Sequence, residues 1–285
     1  MFKVSISQSA WQTCILHIRI NICLMLKYPN IDPVIVQFTD KLAVRWYSLA
    51  YIAGFFLVSW FFKKQNKKFH ILDEKYCETI LFYGMAGLII GARLFDCLFY
   101  NFMYTLHNPL SIFAVWNGGM SFHGGLIGLF IGIITFAKKY KVKINAIRFL
   151  DICVVVIPLA LMLGRIANFI NGELYGNISY TSPFAMIFPT DPEQLPRHPS
   201  QIYEALTEGL LLLTIMLILF YKTKLINKTG TLSGIFCFLY AIFRFICEFF
   251  REPEIGNLLG LTAGQHISIG MLIFSIVWIY FWKKH

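Results

Sequence analysis

The chain is 285 residues long, 57% hydrophobic and 17% aromatic but only 14% charged. An ordinary soluble domain is about 25% charged, so this composition excludes a soluble globular or a disordered protein and marks an integral membrane protein. The formal net charge of +10 finds a sufficient counterpart in membrane lipids, the anionic ones of the inner leaflet above all, and calls for no nucleic acid.

Residues 1–24 are the first irregularity along the chain. The apolar run ILHIRINICLM is interrupted by His17 and Arg19, which makes a poor span and a poor signal peptide. Residues 1–24 are therefore expected to be an N-terminal extension, with Met25 a possible true start and 25–285 a single transmembrane domain. About seven stretches of roughly 20 mostly apolar residues follow, the length that crosses a hydrocarbon core of about 30 Å. They run approximately 46–62, 78–99, 122–137, 149–170, 201–221, 231–250 and 266–282. Continuous apolar runs without short alternating segments predict helices rather than a barrel, so the expected fold is all-α. Pro158 in the fourth stretch and Glu204 and Glu208 at the start of the fifth leave their limits loose. Of the 7 cysteines, Cys77, Cys97, Cys153, Cys237 and Cys247 lie within these stretches and none forms a CxxC pair. They read as small core residues, with no metal-ligand spacing anywhere in the chain.

Orientation follows from the connections. KKQNKK, KKYKVK, YKTKLINK and KKH follow the odd-numbered stretches, whereas only Arg197 and Arg251 stand in the connections after the even ones from the second to the sixth. By the positive-inside rule the odd exits are cytoplasmic, the C-terminus is cytoplasmic, and the segment before Tyr47 faces outward with connections 100–121, 171–200 and 251–265.

This topology assigns each polar residue a depth. Arg165 and Asn168, three residues apart, share one face in the outer part of the fourth stretch, and Glu173 and Gly176 follow in GRIANFINGELYG. Tyr240, Arg244, Glu248 and Arg251 form one stripe of the sixth. His123 stands at the outer mouth of the third, Tyr47 at the start of the first, and His198 and Glu204 at the start of the fifth. All converge on the outer headgroup boundary. Ionisable groups there are costly and mark function, and the planar fork of arginine suits phosphate, so a phospholipid headgroup from the outer leaflet is the expected ligand. Plainer roles compete at several positions. Arg165 with Glu173, and Arg244 with Glu248, can be structural ion pairs. His123 can be a helix-terminal histidine satisfied by backbone, and Tyr47 beside Trp46 an interfacial aromatic. Gly124, Gly128 and Gly132 have the spacing of close helix packing. Arg93 and Asp96 can pair locally, with no functional claim attached.

HGGLIG at 123–128, GRIANFINGELYG at 164–176, RHPSQIYEA at 197–205 and YAIFRFICEFFREPE at 240–254 together resemble the prolipoprotein diacylglyceryl transferase family. The resemblance runs from about Met25 to the C-terminus, and YPNIDPVIVQF at 28–38 is similar to the family's beginning. One departure is REPE where the family often has REPD, which leaves an acid at Glu254. The resemblance implies a multi-pass enzyme of the bacterial inner membrane with its active site towards the outer leaflet. It implies transfer of the diacylglyceryl group of phosphatidylglycerol to the thiol of the lipobox cysteine in a prolipoprotein signal peptide, with release of glycerol phosphate and no metal or cofactor. Arg165 and Arg244 are then expected at the leaving phosphate and His123 is a candidate base for the thiol. Asn168, Glu173, Gly176, Tyr47, Tyr240 and Glu248 are expected to line the substrate site. A transporter would instead want midplane polar sites, broken helices and related halves, and a lipid-binding scaffold would need the arginines without His123.

Overall fold

The computed structural model describes residues 26–39, 43–114, 119–142, 144–252 and 260–283. Met25, Glu254 and His285, about which the sequence raised expectations, lie outside the described residues, as does residues 1–24. The chain packs as two compact units, one comprising residues up to Gly54 together with Val154 onward, the other Phe55–Cys153.

Helix α1, Trp46–Phe69, starts where the first apolar stretch was expected but runs seven residues beyond residue 62. The polar tail KKQNKKF consists largely of good helix formers, and the helix stops at His70, whose φ of 48° is left-handed. Asn66 fixes this exit by accepting from the amides of Ile71 and Leu72 and donating to the Leu72 carbonyl at 2.6 Å. In the unit Phe55–Cys153, α2 (Cys77–Phe95) runs into a π-helical stretch, Asp96–Tyr100, and packs along α3 (Phe122–Tyr140). Arg93 pairs with Asp96 at 3.9 Å and donates to backbone carbonyls of Ser111, Ile112 and Gly119, the local structural role expected for it. α4, Ala146–Cys153, completes this unit.

The contact between α2 and α3 is a seam of glycines. A β-carbon at Gly128 would lie 2.0 Å from the Gly87 carbonyl oxygen, one at Gly91 would lie 2.4 Å from that of Gly124, and one at Gly132 would lie 2.2 Å from that of Tyr83. Without side chains the two backbones touch, and lipid-embedded helices, which lack a hydrophobic drive to associate with each other, gain dispersion and weak Cα–H to carbonyl contacts instead. Gly124 belongs to this seam too, as a β-carbon there would meet the Phe95 β-carbon at 2.2 Å.

The other unit holds α5 (Ile157–Asn171), α6 (Ser200–Lys222), α7 (Thr231–Cys247) and α8 (Ala263–Lys283). A short hairpin of β1 (Val34–Gln37) and β2 (Ala43–Arg45) precedes α1, and β3 (Met186–Ile187) pairs with β4 (Pro196–Arg197). The expected fourth stretch is interrupted between α4 and α5. Pro158 has no N–H to bond the carbonyl of residue 154, so the helix breaks at 154–156 and restarts with proline in its first turn. α6 is continuous, but from Ala205 to Leu211 it is π-helical. α7 and α8 pack through Gly234, whose added β-carbon would meet Ile279 at 2.4 Å, and the Trp278 indole donates to the Gly230 carbonyl at 2.9 Å.

The protein is mostly helical and membrane-spanning. Segments Glu74–Tyr100, Ser200–Lys222 and Ala263–Trp282 are long and apolar enough to cross a bilayer, and α4 with α5 makes a fourth if they form one broken span. The polarity is inverted relative to a soluble protein. Phe56, Trp60, Phe82, Ile131 and Phe274 lie on outer surfaces, whereas Ser200, Gln201, Glu204 and Glu208 are wholly buried.

The seam generates a prediction. Gly128→Val forces its side chain into the Gly87 carbonyl and should destabilise the α2–α3 pair by about 1–3 kcal/mol or more. Gly125→Ala, whose β-carbon finds its nearest neighbour at 3.5 Å, should be tolerated. Thermal unfolding in detergent checks both; equal melting temperatures for the two variants would refute the seam.

Candidate functional site

Two glutamates in an apolar helix cannot be hydrated and must be met by cations. Glu204 and Glu208, one helical turn apart on α6, are both fully buried, and arginines from α5 and α7 reach them. Arg165 places its Nε 3.0 Å from Glu204 Oε2 and its Nη2 3.5 Å from Glu208 Oε2. Arg244 donates through Nη1 to Glu204 Oε1, and its Nη2 forms an ion pair with Glu248 Oε2 at 2.9 Å. Arg251, just past the end of α7, donates to the same Glu204 Oε1 at 3.0 Å and approaches Glu248 at 3.8 Å. Thr262 donates to the other oxygen of Glu248 at 3.0 Å. The three arginines and three glutamates cancel in formal charge, and Glu204 is the one carboxylate that touches all three guanidiniums. Buried ion pairs hold only when their geometry repays desolvation, and removing one partner strands a charge.

The plainer role weighed for Arg165 in the sequence was an ion pair with Glu173. Glu173 does not fill that role; its Oε1 accepts from Asn168 at 2.8 Å and from Asn171 at 3.0 Å. Asn168 is buried and Glu173 exposed, so the pair fastens the end of α5 to the start of the connection that follows. The helix ends at Gly172 with φ 68°, whose amide bonds back to the last turn, and Gln201 donates to the Glu173 carbonyl at 2.7 Å.

Gly176 closes the floor of the site. Its amide donates to the His198 carbonyl at 2.8 Å and the next amide, of Asn177, donates to the Phe250 carbonyl at 2.9 Å. A β-carbon on Gly176 would lie 2.1 Å from the Phe250 oxygen, so only glycine lets the three chain segments meet there. Beside this junction is a cavity of about 400 Å³ lined by Gly172, Glu173, Leu174, Tyr175, Thr190, Arg251 and Glu252. Arg251 thus joins the cavity to the buried ion network.

The connection above the site has its own clamp. Arg197 is buried, donates through Nε to Asp191 at 2.6 Å, pairs with Glu193 and Glu252, and lies over the Tyr175 ring. Burial works against the charge of Asp191, but the Arg197 guanidinium and the amides of Glu193 and Leu195 outweigh it and hold the Asp191 carboxyl below the usual carboxylate range.

Among the residues expected from the sequence, Arg165, Arg244 and Glu248 come together in the network, and Tyr240 on α7 lies within electrostatic range of Arg165, Arg244, Glu204 and Glu208. Tyr47 is within range of Arg165 and Glu173, and its hydroxyl shares a hydrogen bond of 3.1 Å with Tyr51. Asn168, Glu173 and Gly176 cluster at the C-terminal end of α5. His123 occupies the first turn of α3, in the other unit, behind the Ser121 cap that accepts from Gly124. The sequence reading placed Arg251 on one stripe with Arg244 and Glu204 at the same depth, and noted Glu208 only as an acid in the fifth stretch, with none of the three given a site role. Their signal was present: QIYEALTEGL puts two acids one turn apart in an otherwise apolar run, which requires more buried cations than one arginine supplies.

A family model described as prolipoprotein diacylglyceryl transferase matches residues 33–281. The chain is 44% identical over 251 residues to a phosphatidylglycerol–prolipoprotein diacylglyceryl transferase of Ehrlichia ruminantium (strain Welgevonden), covering 87% of this chain and 95% of that protein. Proteins of the same name from Rickettsia felis and Rickettsia akari are 46% identical over 253 and 254 residues, with the same coverage of 87% and 95%.

The Arg197 clamp should be acid-labile. Because the folded state holds Asp191 ionised below its ordinary range, its stabilisation is complete above the unfolded carboxylate value and is lost as pH falls through the folded one. Exchange of the Glu193 and Leu195 amides, which both bond Asp191, should quicken in acid. Asp191→Asn should quicken exchange of both amides already at neutral pH, since Arg197 then keeps only the exposed carboxylates of Glu193 and Glu252; protection equal to wild type at neutral pH would contradict the clamp.

Proposed function

The chain belongs to the prolipoprotein diacylglyceryl transferase family, and on that premise we propose how its residues carry out the reaction. It is a diacylglyceryl transferase acting in the first step of lipoprotein maturation. Its substrates on this reading are phosphatidylglycerol and the signal peptide of a prolipoprotein carrying a lipobox cysteine, in a bacterial inner membrane. The domain is single from residue 25, with about seven spans, residues before Tyr47 outside and the C-terminus cytoplasmic. The lysine asymmetry of the connections supports that orientation.

The cysteine sulfur attacks the glycerol carbon that bears the phosphate. The new carbon–sulfur bond forms as the carbon–oxygen bond breaks, the electron pair leaves with glycerol phosphate, and the thiol proton passes to a base. A free thiol with a pKa of about 8.5 is mostly protonated near neutrality and gains from that base. His123 is the candidate, at the expected outer mouth of its helix.

The observation that carries the reading is the convergence of Arg165 and Arg244, from different helices, on one buried pair of carboxylates. Ground-state carboxylates hold the guanidiniums in place before any substrate arrives, so little reorganisation is needed when phosphate charge develops in a site of low dielectric. Asn168, Glu173, Gly176, Tyr47, Tyr240 and Glu248 shape the surrounding headgroup site, with Gly176 letting the chain segments close over it. No resident metal is required, since the lipid supplies its own leaving group.

Incubation of the purified protein with phosphatidylglycerol and a lipobox peptide should add a diacylglyceryl mass to the cysteine. Arg165→Lys and Arg244→Lys should each lower that rate by on the order of 10²–10³, about 2.7–4 kcal/mol, because lysine keeps the charge and loses the fork. Membrane abundance should be kept in both. Near-wild-type transfer by both variants would remove the arginines from the chemistry, and a lipid-binding scaffold would give no mass addition at all.

A further inference from the structure

Glu208 stands apart within the ion network. It is fully buried, yet neither carboxylate oxygen has a hydrogen-bond partner among the described residues. Its nearest cations are Arg165 Nη2 at 3.5 Å and Arg244 Nη1 at 3.8 Å. Glu204, by contrast, sits 3.0 Å from both Arg165 and Arg251 and accepts a hydrogen bond from Arg244. The two carboxylates therefore differ in grip: Glu204 binds the guanidiniums together, while Glu208 only balances their charge.

Charge balance then constrains ligand binding. Among the described residues, the charges of Arg165, Arg244, Arg251, Glu204, Glu208 and Glu248 sum to zero. A phosphodiester entering between Arg165 and Arg244 adds one negative charge to a buried site, which is strongly unfavourable in a medium of low dielectric. Glu208 is fully buried, and its π-helical segment packs against Met162 of α5 through Gly209. We propose that Glu208 is an exchangeable counter-ion: the site binds an anionic lipid phosphate together with one proton, which Glu208 accepts. This rests on the phosphate-clamp reading above. The neutral carboxyl no longer competes for Arg165 and Arg244 and can donate to a phosphate oxygen. The groups facing Glu208 are Arg165 of α5, Arg244, Tyr240 and Cys247 of α7, Arg251 beyond it, and Glu204 on its own helix. Among these, Glu204 is fixed by its three arginines, which leaves Glu208 the group with least to lose on neutralisation.

The test is calorimetric titration of the full chain in detergent with phosphatidylglycerol and, separately, phosphatidylcholine, without acceptor peptide, in buffers of different ionisation enthalpy. Phosphatidylglycerol binding should take up close to one proton, and its affinity should fall by up to about tenfold per pH unit on the alkaline side. In Glu208→Gln the uptake should vanish and the pH profile flatten. Uptake near zero in the wild type, or undiminished uptake in Glu208→Gln, would overturn the proposal. Should that variant not accumulate, the infrared difference spectrum of wild type with and without phosphatidylglycerol decides: a protonated-carboxyl stretch that shifts in Glu208→Asp supports it, and no such band refutes it. Failure of either lipid to bind at any pH would instead sink the phosphate clamp itself.

Discussion

A carboxylate buried in an apolar helix bundle can exist only if cations come to it, and Glu204 draws three. Arg165 arrives from α5, Arg244 from α7 and Arg251 from the chain beyond α7, each within hydrogen-bonding range of this one side chain. The other polar features of this unit follow from that requirement. α5 must present Arg165 on the face it shares with Asn168, α7 must bring Arg244 and Glu248 together one turn apart, and the chain after α7 must turn back so that Arg251 reaches inward. Charged pairs that are desolvated in this way contribute little to net stability but fix geometry, because every alternative packing leaves a charge unmatched.

The backbone pays attention to the same site through its irregularities. The π-helical stretch that carries Glu208 departs from regular α-helix in the middle of a span, where such departures commonly accompany function. Gly172 ends α5 in a left-handed turn, and Gly176 lets the segments around His198 and Phe250 close to main-chain distance. These glycines follow Arg165 at and just beyond the C-terminal end of α5. The connection they shape is held from above by Arg197 and Asp191, so the cavity at Arg251 has a firm wall rather than a loose loop.

The sequence made much of this legible, for reasons that differ by residue. Apolar length located each helix, since lipid leaves the backbone no other way to satisfy its hydrogen bonds. Helical spacing put Arg244 and Glu248 on one stripe, and their ion pair is found at 2.9 Å. Pro158 announced a disturbance in the fourth stretch, and the break is where a missing N–H puts it. What spacing could not give was the pairing between helices. The ion-pair alternative for Arg165 named nearby Glu173, but its partners lie 39 and 43 positions away on α6, a contact that no local pattern encodes. The extension of α1 through its lysines was missed for a simpler reason: hydropathy marks where a helix leaves lipid, not where it ends.

The account stands on the two arginines gripping the phosphate that leaves. A structure with a non-transferable phosphonate analogue of phosphatidylglycerol would test it most directly. The account predicts phosphonate oxygens about 2.7–2.9 Å from guanidinium nitrogens of both Arg165 and Arg244, with Glu204 still in contact with each arginine. A headgroup seated elsewhere, with both guanidiniums still occupied only by Glu204, Glu208 and Glu248, would contradict it.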